Sequence, residues 1–392
     1  MGSMLIADVN MIKALRCVAP ALGTPGPTVL TFFGDNIIAS EGNEWKRYRK
    51  IVAPGFSERN NRLVWDATTQ IMLDLFDTMW AGQEEVVIAL FVIGAAGFGR
   101  PISWKEDAVT PLGHQLTFKD ALRTVTQDLT LTLLVPRWAM GLTTHFRRAR
   151  LAFDELDRYL TETIHKRQGS KDEEDNNDLL SSLSSANVDL SKGEVKLTDS
   201  ELIGKLQFRA PAEHGYITTA HALSFAFVLL ALHPDKQEEM YQHIKHVLSD
   251  GRIPTYDDML SLTYSSAVFN EALRMFPPVC AVLPCAKDTT FTLTDVNGTL
   301  KTVAVPKGLD LTLDYWEDPF TFKRERFLSD WNRNAFLAFS GGYRGCVGRK
   351  FAETDGAAVL TILISQYITS VKDEPQFAGE TYEQRKERVL DA

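Results

Sequence analysis

Near its C-terminal end the chain reads Phe339-Ser-Gly-Gly342-Tyr-Arg344-Gly-Cys346-Val-Gly348, with Ala352 four residues further on. A cysteine set among glycines and an arginine, just before an apolar helical stretch, suits core packing poorly. It suits a metal-ligating thiolate well. Such a thiolate must stay ionised, and donors at a helix N-terminus lower its pKa. Gly342 and Gly348 carry no Cβ, so the backbone there can pass close to a flat macrocycle such as haem. Arg344 offers a planar fork of donors for an anionic propionate. Phe339 can shield the sulfur and keep its surroundings dry. Taken alone, the same cysteine also reads as a small hydrophobe beside a turn, so the rest of the chain has to decide.

With 392 residues, of which 44% are hydrophobic and 10% aromatic, the chain can bury a sizeable core. Its net charge of −9 speaks against nucleic acid as a partner. Cys17, Cys280, Cys285 and Cys346 form neither a paired CxxC pattern nor a disulfide framework, which points to a reducing compartment. Cys280 and Cys285 read as packing residues. The longest apolar runs, 86–99 and 222–232, are too short to span a bilayer and read as buried core helices. Asp8, Asn10 and Lys13 interrupt the N-terminal apolar character, so it reads as neither anchor nor signal peptide.

The patterning is mostly helical. Residues 45–50 open a charged, amphipathic stretch, and 60–80 place Leu63, Val64, Ala67, Ile71, Leu73 and Leu75 at helical intervals. Residues 148–167 read as an exposed helix bearing Arg148, Arg150, Asp154, Asp157 and Arg158. An acidic then serine-rich tract predicts a flexible loop over about 169–197. Thr198 and Glu201 make a capping-box pattern that opens a helix over about 199–232, roughly 50 Å long at 1.5 Å per residue. Pro211 and Gly215 inside it are expected to disturb its ladder. His233-Pro234 ends it and starts another helix, and 266–276 makes a short one. After Pro277-Pro278, segments 290–294 and 299–305 flank Asn297-Gly298 and predict a hairpin within a β-rich part over about 286–314. No internal repeat is found. The expectation is a single, mainly α domain over 1–392 with a small β portion.

The cysteine run matches all five fixed positions of F-x-x-G-x-R-x-C-x-G and the trailing alanine. It resembles the haem-binding signature of the cytochromes P450, and average residue usage would produce it by chance on the order of once in ten thousand such chains. Glu271-Ala-Leu-Arg274, with Pro277-Pro278 after it, resembles that family's ExxR helix. Arg324-Glu-Arg326-Phe327 resembles its PERF segment, with Arg324 where proline is common. Alone, Glu271 and Arg274 are an i,i+3 pair of a kind frequent on solvated faces. The resemblance implies instead that Glu271, Arg274 and Arg326 form a buried network fixing the cysteine loop, tolerable only when fully hydrogen-bonded. Trp45-Lys-Arg-Tyr-Arg49 resembles the family's WxxxR element, which implies that both residues face a haem propionate, Trp45 through its indole N–H. On the residues alone it is an amphipathic helix with a basic face, on which Lys46, Arg47 and Lys50 can receive an acidic electron-transfer partner.

The oxygen-activating motif departs from the family. Thr218 and Thr219 occupy the place of its alcohol, but Ile217 stands where an acid belongs. Glu213 precedes Thr218 by five residues, about 140° away around an ideal helix, and only a π-type bulge would bring it back. Val279, Ala281, Val282 and Leu283 resemble a substrate-lining segment suited to an apolar ligand. Against the family the chain looks shortened between Asp314 and Arg326, at its start, and at Ala392, before the strands that close the pocket. The resemblance implies a P450-like fold holding haem b (iron protoporphyrin IX) on Cys346 as metal ligand. It implies a monomeric, microsomal monooxygenase that inserts one oxygen atom of O2 into an apolar small molecule. Electrons would come from NADPH through NADPH-cytochrome P450 reductase. The implied location is the cytosolic face of the endoplasmic reticulum, or the cytoplasm if no anchor exists. The altered distal segment keeps a second reading open, a catalytically impaired haem-binding relative. A cofactor-free scaffold is the third, disfavoured by four motifs in family order.

Overall fold

The computed structural model describes residues 3–6, 37, 40–78, 110–128, 135, 140–169, 209–278, 283–284, 288–294, 299–305, 310–313, 315–372 and 374–390. Along these the order is β1 (Ser3–Ile6), α1 (Gly42–Val52), α2 (Glu58–Thr78), α3 (Phe118–Gln127), α4 (Thr144–Gly169), α5 (Arg209–Leu232), α6 (Pro234–Val247) and α7 (Thr263–Met275). Then come β2 (Leu283–Pro284), β3 (Thr289–Thr294), β4 (Leu300–Val305), β5 (Asp310–Leu313), α8 (Arg349–Gln366) and α9 (Tyr382–Leu390). The fold is mainly helical with a small β portion. Its contacts group the chain into two compact units. One comprises Pro27–Ala220 and Lys350–Val359, the other Met1–Gly26, His221–Arg349 and Leu360–Ala392.

In the first unit, α1 buries Trp45, Tyr48, Ile51 and Val52 on one stripe, the spacing expected of an amphipathic helix. Glu44 in its first turn and Arg49 and Lys50 in its last complement the helix dipole. Along α2, Val64, Trp65, Ile71, Met72 and Leu75 are buried. Thr117 caps α3 by accepting the Asp120 N–H at 3.0 Å. Helix α3 packs against α4 through buried apolar residues that include Leu122, Val125, Phe153 and Leu156.

The segment ahead of α3 is clasped onto α4. The His114 ring stacks on Tyr159 with centroids 3.7 Å apart and planes 3° from parallel. Its Nδ1 lies 2.7 Å from Glu155 and its Nε2 3.1 Å from Glu162. Glu155 also accepts the Gln115 N–H, and the Tyr159 hydroxyl donates to the Leu116 carbonyl. In the same unit Asp355 of α8 is wholly buried and accepts the Thr68 hydroxyl at 2.9 Å. Burial pushes its carboxyl up to about 7, and the Thr68 hydrogen bond offsets only part of that.

In the second unit, α5 from Ala222 onward is nearly all apolar, and Ala222, Leu223, Ala226, Leu229, Leu230 and Leu232 are buried. Helix α6 adds Met240 and Ile244, and α7 adds Ala267, Val268, Phe269, Ala272 and Leu273. A buried hydroxyl pair joins α7 to α8, Thr361 donating to Ser265 at 2.7 Å. Gln237 reaches from α6 to the Leu230 carbonyl and to both the N–H and carbonyl of Thr369. Strands β3 and β4 pair antiparallel from Thr289↔Val305 to Thr294↔Leu300, and the Asn297-Gly298 turn lies outside the described residues. A second sheet orders β1, β5 and β2, with β1 parallel and β2 antiparallel to β5.

The expected disturbance of the long helix is absent. Helix α5 is unbroken from Arg209 to Leu232. Pro211 is its third described residue, and an N–H in the first turn has no intrahelical partner to lose. The capping-box residues and the tract 170–208 lie outside the described residues.

Candidate functional site

The loop that carries Cys346 is built by backbone geometry. Ser340 and Gly342 take positive φ, 58° and 64°, a conformation that costs glycine nothing and serine something. The chain then makes a tight turn over Gly342–Arg344, closed by the Gly345 N–H to the Gly342 carbonyl at 3.1 Å. A Cβ at Gly345 would sit only 3.1 Å from that same carbonyl oxygen. The Cys346 N–H donates to the Phe339 carbonyl at 2.9 Å, which folds the loop back on itself. Phe339 meets Phe336 edge-on at 6.1 Å, and the Arg349 guanidinium lies 5.6 and 5.5 Å from the two ring centroids.

Cys346 is exposed, and Gly348 caps α8 two residues later. The helix therefore begins within one turn of the thiol, where first-turn N–H groups gather positive charge. An exposed soft donor, a glycine-rich approach and a helix N-terminus are the chemistry that a thiolate-bound iron requires. The donor set fits haem.

Glu271, Arg274 and Arg326 come together in the same unit. Glu271 is fully buried, and Arg274 grips it bidentately, Nε to Oε2 at 2.7 Å and Nη2 to Oε1 at 2.9 Å. Arg326 Nε lies 3.4 Å from Oε1, and the Lys323 N–H donates to the same oxygen at 2.8 Å. The arginines use their other donors on backbone: Arg274 on the Pro319 carbonyl and Arg326 on the Asp318 carbonyl, each at 2.8 Å. Burying a carboxylate this deep without such partners would cost several kcal/mol.

The remaining candidate residues are placed less completely. Trp45 is buried and Arg49 half-buried, one turn apart on α1. Thr219 is buried and Thr218 half-buried on α5. Since α5 is α-helical throughout, with no π-type bulge, Glu213 and Thr218 remain about 140° apart. Leu283 belongs to β2 and pairs with Leu311, while Val279, Ala281 and Val282 lie outside the described residues.

Sequence reasoning missed Arg324 as a buried residue. It is 1% exposed, and its only sequence signal is that a charged residue occupies the place of proline. His114 and Asp355 were also missed, because their partners lie 41 and 287 residues away.

The family model for cytochrome P450 matches residues 23–381. The chain belongs to the cytochrome P450 family. It is 46% identical over 414 aligned residues to cytochrome P450 monooxygenase 124 of Postia placenta, covering 99% of this chain and 79% of that protein. It is 27% identical over 401 residues to cytochrome P450 monooxygenase ORF6 of Penicillium roqueforti, covering 86% of this chain and 68% of that one. A second Postia placenta protein, cytochrome P450 monooxygenase 219, is 25% identical over 426 residues. Membership implies that this P450 binds haem and works with a redox partner and a substrate. Among the described residues no helix is long and apolar enough to cross a membrane.

Proposed function

We propose that this P450 is a haem-thiolate monooxygenase of the reductase-dependent type, folded as one P450-like domain. What carries the reading is the exposed Cys346 thiol in its glycine-built loop beside the start of α8. Haem b, when bound, supplies the activation of O2 and the transfer of one oxygen atom to an apolar substrate. The protein's own part is to hold and to exclude. Cys346 binds iron through Sγ. Arg344, Arg49 and the Trp45 indole N–H serve the propionates, Phe339 keeps water from the sulfur, and Gly342 and Gly348 admit the macrocycle. Glu271, Arg274 and Arg326 fix the loop from behind. By resemblance Val279, Ala281, Val282 and Leu283 would line the substrate side, and the hydroxyls of Thr218 and Thr219 would relay protons from water, each taking one up as it passes one on. Electrons come from NADPH through NADPH-cytochrome P450 reductase, at the cytosolic face of the endoplasmic reticulum.

A second reading rests on the unbroken α5. With Ile217 in the acid's place and Glu213 about 140° away around α5, neither position sets an acid next to Thr218 along the helix. The chain would then hold haem but turn over poorly. Two measurements separate the readings. The reduced, carbon monoxide-treated protein should give the strongly red-shifted Soret band of thiolate-ligated haem, and Cys346→Ser should abolish it. A surviving band would overturn the ligand assignment. NADPH consumed without oxygenated product, and recovered as peroxide, would favour the impaired reading.

A further inference from the structure

Arg324 lies beside the Glu271 network but belongs to none of its bonds. Its side chain is 1% exposed. Nη1 donates to the Lys236 carbonyl of α6 at 2.7 Å, and Nη2 donates to Glu239 of the same helix. The guanidinium also lies 4.3 Å from the Tyr264 ring centroid, at the start of α7. Around it, Lys236 Nζ reaches Glu239 at 3.3 Å and Glu325 at 3.0 Å. Lys323 and Arg326, on either side of Arg324 and Glu325, face the other way. The Lys323 N–H and the Arg326 guanidinium both address Glu271 Oε1 on α7. Of four consecutive residues, the outer two are thus tied to α7 and the inner two to α6.

Burying a guanidinium costs several kcal/mol of desolvation, and an apolar side chain of similar volume often serves stability as well or better. Stability is therefore a poor reason for an arginine here. What a fork of fixed donors adds, and an apolar chain cannot, is direction.

We propose that Arg324 is a positioning residue: its buried guanidinium ties α6 to the turn Arg324–Phe327 and thereby sets where Arg326 meets Glu271. This rests on the reading of Glu271, Arg274 and Arg326 as the support of the cysteine loop. Two substitutions test it in the full-length chain. Arg324→Met keeps length and apolar bulk but removes the fork, and Glu239→Gln keeps an acceptor but removes the charge at a half-exposed position. Hydrogen exchange of the amides of residues 323–328 should rise about tenfold in Arg324→Met and less in Glu239→Gln, while global unfolding stays close to that of the parent. In the haem-loaded protein, conversion of the thiolate Soret band to its shorter-wavelength form should quicken in the same order.

Exchange and band lifetime both within about twofold of the parent would overturn the proposal. So would losses that only track a lower melting temperature, which would make Arg324 a packing residue. If Arg324→Met does not fold, Glu239→Gln carries the same comparison. If the parent gives no thiolate band while exchange at 323–328 still responds, the haem reading fails and the positioning role stands.

Discussion

Single residues in this P450 are defined by what they would leave behind. Glu271 is the clearest, because two guanidinium groups and the Lys323 N–H converge on it. Replacing it with Gln leaves Arg274 and Arg326 without their shared counter-charge inside the protein. Chemical denaturation of the haem-free chain should show a loss of about 3–5 kcal/mol. A loss under about 1 kcal/mol would mean that water reaches both arginines. Gly345 makes a second case at this scale. Since a Cβ there would press on the Gly342 carbonyl at 3.1 Å, Gly345→Ala should shift the Cys346 backbone and lower haem occupancy. Titration of the apoprotein with haem measures it directly.

At the scale of elements, two polar contacts hold helices that apolar spacing alone would leave free to slide. Asp355 joins α8 to α2 through Thr68. Its carboxyl titrates near 7 in the folded chain against 3.8 ordinarily. A raised folded pKa gives stability that is full below about pH 4 and is lost as pH climbs to about 7, by up to ~4 kcal/mol. Asp355→Asn keeps an acceptor for Thr68 and has no proton to lose. Its urea midpoint should match the parent near pH 4, exceed it increasingly up to pH 7, and then keep a constant lead. Parallel profiles would show that the Asp355 carboxyl titrates alike in the folded and unfolded chain. His114 clasps the segment before α3 to α4. His114→Phe retains the stack on Tyr159 but strips the buried Glu155 of a partner, which should cost about 1–3 kcal/mol. Exchange at residues 110–117 should rise with it. Helices α1, α2, α4, α5, α6 and α7 were legible in the sequence, and so was the pairing of β3 with β4 on either side of Asn297-Gly298, whereas α3 and α9 were not foreseen. Nor were these two clasps. A histidine and an aspartate carry no periodic signal, and their partners come from distant parts of the chain.

For the molecule as a whole, the cysteine loop was legible because it is contiguous: five fixed residues within ten positions need no knowledge of the fold. The Glu271 network was legible only by resemblance, since its members span residues 271–326 and look like surface charges when taken singly. Arg324 was not legible as a buried residue, because an arginine between Lys323 and Glu325, even one standing where proline is common, gives no hint of burial. The long helix was misjudged at Pro211, where sequence shows a breaker but not its position within the first turn. Haem should act on the assembled chain through mass action. At a free haem concentration a hundredfold above Kd, stability should rise by about 2.7 kcal/mol, read as a higher melting temperature. Cys346→Ser should lose most of that gain while the haem-free melting point stays put.

The hydroxyl pair of Ser265 and Thr361 also bears on how this sequence can change over time. Valine at 361 alone would orphan a buried hydroxyl at a cost of about 1–3 kcal/mol, whereas apolar residues at both positions would be nearly neutral. The two sites are separated from that alternative by a valley that single substitutions must cross. Among descendants of this chain they should be inherited as a unit.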